Sequence, residues 1–228
     1  MVYRKTPNEQ SRLDRRRDDI LSAAQRIVRQ YGFSAAKIRP VAVASGVSVG
    51  SVYSYFQDVE TLHAEVFAAC AGKELAAVEA GLATATDAAG RLRLLVQMFA
   101  TRALAAPRLS WSILFEPVSP TVERQRLAYR EQYVRLTAEI IERGVLTATF
   151  PPQSVLTTSR ALVGAISESL VGPLNPIQTE FPQLTDAVVE DITQFCIRAS
   201  GAGPHGPRIP LDDSSTPGRT AAYEGAGR

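Results

Sequence analysis

The stretch VASGVSVGSVYSYF, Val43 to Phe56, carries four Ser, four Val and three aromatic residues in fourteen positions. It is too polar for a plain core segment, and too regularly apolar at Val47, Val52 and Phe56 for a free loop. If residues from Ser48 onward are helical, the apolar positions share one side, and Ser48, Val49, Ser51 and Ser54 share the other. Small hydroxyl side chains let a helix lie deep in a groove and hydrogen-bond a base edge or a phosphate. Val49 suits contact with a thymine methyl, and Gly50 permits close backbone approach. The chemistry on offer is hydrogen-bonded recognition, not bond breaking.

Parts for other chemistry are missing. His63 and His205 are the only two histidines. No phosphate-cradling glycine loop, metal-ligand spacing or nucleophile-elbow pattern occurs, so neither a catalytic site nor a resident cofactor or metal is expected. The two cysteines, Cys70 and Cys196, stand far apart in apolar helical contexts and read as buried thiols. The first ten residues lack the apolar core of a secretion signal, and the most apolar later run, 161–174, is interrupted by Ser and Glu168. A cytoplasmic protein without a membrane partner is the expectation.

The elements that would position the hydroxyl face are helices. Ser11 and Asp14 have capping-box spacing for a first helix, whose apolar stripe is Ile20, Ala24, Ile27, Val28 and Tyr31, with Gly32 as a left-handed stop. A second short helix spans about Lys37 to Ala44, with Ala36 as its cap. Gly46 ends it, and Ser48 caps a third. Two short helices joined through Ser45-Gly46-Val47 have the form of a helix-turn-helix. Asp58 caps a long fourth helix toward Ala80. Further apolar faces begin at Leu92, Leu109, Val122, Val155 and Leu184, and no period-two run appears, so the fold class is all-α.

Charge divides the chain. Residues 1–57 hold ten Lys or Arg against four Asp or Glu, and the remainder holds fifteen against nineteen. A basic head on a mildly acidic body points to a polyanionic partner for the head alone. The expected organisation is a three-helix DNA-binding domain with a basic N-terminal arm at 1–57, a helical body at 58–200, and a Pro- and Gly-rich disordered tail at 201–228.

The segment DDILSAAQRIVRQYGFSAAKIRPVAVASGVSVGSVYSYFQDVETLHAEVF resembles the DNA-binding domain of the tetracycline-repressor (TetR/AcrR) family of regulators. The resemblance covers about residues 16–70 and rests on the first-helix pattern ending in YGF, on VASGVSVGSVYSYF, and on the acid-started helix after it. It implies an all-helical homodimer, a double-stranded DNA operator, and a small-molecule effector bound in the body. Carried over position by position, it implies DNA contacts from Lys37 and Arg39 and from Ser48, Val49, Gly50, Ser51, Tyr53, Ser54 and Tyr55. Tyr53 matches the family's phosphate-binding tyrosine. Two positions depart from the pattern. Pro40 replaces an acidic residue, and Val59 stands where a lysine often meets phosphate. Arg4, Lys5, Arg12 and the run Arg15-Arg16-Arg17 could compensate by neutralising phosphates.

The body says less. Phe67, Met98, Phe99, Trp111, Phe115, Tyr129 and Tyr133 are candidates to line an effector pocket, since such pockets are mostly apolar with few polar groups. Aromatic stripes also serve as plain core. The expected effector is apolar or amphipathic, and the expected mechanism is a repressor leaving a near-palindromic operator when it binds. The alternatives are an architectural DNA-binding protein, which would not need so large an apolar body, and a helical lipid or small-molecule carrier, which would not need the basic head.

Overall fold

The computed structural model describes residues 7–177 and 185–202. Arg4 and Lys5 of the basic arm and positions 203–228 of the expected tail lie outside them. Among the described residues there are ten α-helices, one short 3₁₀ turn and no strand. Among the described residues, no helix is long and apolar enough to cross a membrane.

The head begins with α1, Pro7–Tyr31. It starts earlier than the capping box suggested: Ser11 sits inside the helix, with its carbonyl accepting from Arg15 Nε at 3.2 Å. Ile20, Ala24 and Val28 of its stripe are buried, but Tyr31 is 56% exposed. The reason is that the chain turns at Gly32, φ +90°, and Phe33 of the 3₁₀ turn Phe33–Ala35 takes the buried place below the helix end. Helix α2, Ile38–Ser45, is capped by Lys37 rather than Ala36, and Pro40 falls third in it. Its missing N–H therefore belongs to the first turn, where no intrahelical partner exists anyway.

Gly46 closes α2 in the left-handed conformation, φ +69°. Ser48 then caps α3, Val49–Tyr55, its hydroxyl accepting from the Ser51 amide at 3.1 Å. Asp58 caps α4, Val59–Leu82, accepting from the Thr61 amide at 2.7 Å. That hydrogen bond holds the Asp58 carboxyl below its ordinary pKa. At 1.5 Å per residue this helix is about 36 Å long, so it can belong to two packing units at once.

It does. Ile20, Val28, Phe33, Val41, Val52 and Phe56 form one core with Leu62, Val66 and Phe67 from the first half of α4. Leu109 and Val122 from the body close this core from below. The second half of α4 packs into another core with α5, Ala88–Ala105, α7, Pro120–Leu146, α8, Val155–Ser169, and α10, Thr185–Ala199. Helix α6, Pro107–Leu114, lies between the two and touches α1. A four-residue α9, Val171–Leu174, comes directly after α8. Cys70 and Cys196 are buried free thiols, and burial pushes Cys196 up to about 11.

Candidate nucleic-acid interface and ligand cavity

The exposed face of the head is built from α2 and α3. Val52 and Phe56 are fully buried and fix α3 against α1 and α4, which turns the intervening positions outward. Val49 is 41% exposed and Tyr53 53%, and Ser48, Gly50 and Ser54 are exposed as well. Lys37 and Arg39 project from the start of α2, both exposed. Tyr55 is different: it is half-buried against the head core.

The serine hydroxyls are not idle on this face. Ser48 Oγ and Ser51 Oγ lie 3.1 Å apart, and Ser54 Oγ donates to the Ser51 carbonyl at 2.7 Å. Each hydroxyl is thus oriented by its own helix and keeps lone pairs for an outside donor. The arginine run is likewise divided. Arg12, Arg15 and Arg16 are exposed, whereas Arg17 pairs with Glu65 of α4 and stacks over the Phe56 ring at 5.2 Å. Arg17 therefore binds the head to α4 and is not a free cation. Val59, where the family pattern has a lysine, packs against the head core. His63 serves structure too, bonding the Ala36 carbonyl at 2.9 Å and meeting Phe33 edge-on at 5.4 Å.

A cavity of about 410 Å³ opens in the body between α4, α5, α6, α7 and α8. Five of the seven aromatic or Met candidates stand in its wall: Phe67, Phe99, Phe115, Tyr129 and Tyr133. Phe67 meets Tyr129 edge-on at 5.7 Å, and Phe99 meets Tyr133 the same way at 5.1 Å. Two candidates are not in the wall. Met98 points from α5 onto Gly81 of α4, filling the space that a Cβ there would take. Trp111 stacks at a tilt on Phe115, 5.3 Å away, and packs into the body core.

Sequence reasoning missed the cavity's charges. Glu74 and Arg102, 2.6 Å apart, and Glu123 and Arg126, also 2.6 Å apart, line the wall with Arg130 and Glu168. Nothing in helical spacing separates such pairs from ordinary surface charges. Burial, with the Glu74 charge beside it, pushes the Tyr133 hydroxyl well above its ordinary pKa, so it remains a neutral donor.

Also missed was Glu116, 6% exposed, which leaves the end of α6 and reaches the head. Its two carboxylate oxygens accept from the Phe33 and Ser34 amides at 3.1 and 3.0 Å. Burial alone would raise its pKa. Hydrogen bonds, those two among them, and the Arg108 charge outweigh that, and the carboxyl sits below its ordinary value.

The chain thus has a helix-turn-helix head, the form that places a short helix against DNA, over an all-helical body that holds a cavity. Residues 20–66 match the sequence profile described as "Bacterial regulatory proteins, tetR family", a match that covers the head and the start of α4. No curated protein sequence matches it. Among solved structures, a TetR transcription regulator from Haloarcula marismortui is similar with a TM-score of 0.69 at 19% identity, covering 83% of this chain and 98% of that one. The fatty acid degradation regulator FadR from Bacillus halodurans is similar at TM-score 0.65 and 20% identity, covering 79% and 97%. FadR from Bacillus subtilis in complex with stearoyl-CoA gives 0.64 at 17% identity, covering 77% and 97%. These likenesses are ones of fold.

Proposed function

We propose that the protein is a ligand-responsive repressor, acting as a homodimer on a near-palindromic operator and leaving it when a small amphipathic effector fills the body cavity. The observation that carries this reading is the placement of α4. Its first half packs in the head core through Leu62 and Val66, and its second half lines the cavity through Ala71, Glu74 and Val78. One rigid element thus touches both the DNA-binding head and the ligand space.

In this reading Lys37 and Arg39 neutralise phosphates, Tyr53 donates to a phosphate, and Val49, Gly50 and Ser51 meet base edges. Ser48 and Ser54 flank them, with Tyr55 packing inward. A dimer must set its two α3 helices about 34 Å apart to enter successive major grooves. Occupants that move α4 change that spacing. They weaken operator binding only by as much as they prefer the spread form, so a tenfold loss needs roughly 1.4 kcal/mol of differential affinity.

The dimer is supported by large apolar side chains left open on the outer helices, with Leu156 at the start of α8 48% exposed and Phe195 on α10 50% exposed. The effector class is supported by the mixed wall: aromatic rings from α4, α5 and α7, with charged groups between them. The bound stearoyl-CoA of the similar FadR structure makes long-chain acyl compounds a sensible first probe.

The test is fluorescence anisotropy on a duplex from the region upstream of the gene, titrated with stearoyl-CoA and with free fatty acids of graded length. Release of the duplex by a member that also binds the DNA-free protein supports the reading. Binding of a member at unchanged duplex affinity would show the cavity uncoupled from the head and would refute it.

A further inference from the structure

We infer that Arg126 and Glu116 form a latch that ties the cavity wall to the head turn after α1, a second connection independent of α4. This rests on the proposed function only for its use; the connection itself is in the geometry. Arg126 stands in the cavity wall on α7. Its Nε donates to the Ile113 carbonyl at 2.8 Å, its Nη1 to Glu123 at 2.6 Å, and its Nη2 to the carbonyls of Ser112 at 3.3 Å and Glu116 at 2.7 Å. One guanidinium therefore gathers the otherwise open carbonyls at the end of α6 and fixes the residue just beyond it.

That residue is Glu116, whose carboxylate bridges the Phe33 and Ser34 amides. Those amides begin the 3₁₀ turn that leads from α1 to the helix-turn-helix. Arg108 closes the same joint by donating to the Tyr31 carbonyl. Gly32, φ +90°, lies between, and a Cβ on it would fall on both the Arg108 guanidinium and the Glu116 carboxylate. The joint is thus packed tightly enough that Glu116 cannot shift without the turn responding.

Arg126 is also a point that an occupant of the cavity would meet. Its Glu123 partner lines the same wall, as do Ile113 and Phe115 on either side of the α6 end. An occupant that turns Arg126 away frees the Glu116 carbonyl, loosens the loop and withdraws the carboxylate from the head. Glu116 and Arg126 act here as positioning residues, setting the angle of the head on the body.

The experiment needs neither operator nor effector, so it stands apart from the proposed function. Amide hydrogen exchange is followed in the full chain for wild type, Glu116→Gln, Arg126→Met and Arg126→Lys. Glu116→Gln should speed exchange at Phe33 and Ser34 by about tenfold or more, since a charged acceptor is replaced by a weaker one. Arg126→Met should do the same at those two amides, although Arg126 does not touch them. Arg126→Lys should recover part of the protection, and amides in α10 should not change.

Two results would overturn the latch: unchanged Phe33 and Ser34 exchange in Arg126→Met beside fast exchange in Glu116→Gln, or unchanged exchange in Glu116→Gln. Should a variant not fold, wild-type NMR decides. The Phe33 and Ser34 amide shifts must then titrate together with the Glu116 carboxyl, and their independence would refute the link.

Discussion

The Arg17 guanidinium sits 5.2 Å from the centroid of the Phe56 ring while pairing with Glu65, so one arginine of the basic run clamps α1, the end of α3 and α4 together. Its neighbour Arg16 is exposed. Arg17→Ala should destabilise the fold by about 1 kcal/mol through lost packing and a broken ion pair, and so lower the melting temperature. Arg16→Ala should leave the melt alone and instead reduce the salt slope of duplex binding by about one unit. Thermal melts and a salt series of binding isotherms separate the two effects.

On α3, Tyr53→Phe removes a hydroxyl from an exposed ring without disturbing the core. Operator affinity should fall equally for all sequences. Val49→Ala or Ser51→Ala should shift base preference instead, by roughly 1–3 kcal/mol at one position. A selection from randomised duplexes with each variant checks this; identical preferences would remove both residues from base reading. Ser48→Ala needs a melt beside it, because loss of the cap on the Ser51 amide alone costs about 1 kcal/mol.

Gly32→Ala should destabilise the fold by about 1–3 kcal/mol, since its left-handed φ and its contact with Glu116 and Arg108 both exclude a side chain. Chemical denaturation provides the comparison.

Glu116 also predicts a pH dependence. Its folded carboxyl lies below the ordinary value, so the unfolded chain takes up the proton first as pH falls. The stabilisation is complete above about pH 4.3 and is lost as pH drops through the lowered folded value. The stability gap between wild type and Glu116→Gln should therefore be constant near neutrality and shrink in acid. Urea melts across that range test it.

If α8 and α10 form the dimer face, Phe195→Glu should shift the protein toward monomer, because it places charges in a contact that now offers an apolar ring. Light scattering at micromolar concentration reads this directly.

The head was legible in the sequence because its rules are local. Gly46 must stop α2, Ser48 must cap α3 and Asp58 must cap α4, while Val41, Val52 and Phe56 recur at helical spacing toward one core. The Ser11 cap misled because the same spacing occurs inside a helix. Body residues were harder, for a physical reason. Met98 and Phe99 are neighbours on α5, yet one fills a notch at Gly81 and the other faces the cavity. Only the packing of α4 against α5 distinguishes them. Glu116 was hidden for the same reason, since its partners stand 82 and 83 positions earlier in the chain.

Selection from a randomised duplex library reads whether paired α3 helices bind duplex DNA in a sequence-specific way. The predicted result is enrichment of an inverted repeat whose half-site centres are about one helical turn apart, roughly 10 base pairs. Recovery of no preferred sequence, or of a motif without two-fold symmetry, would contradict it.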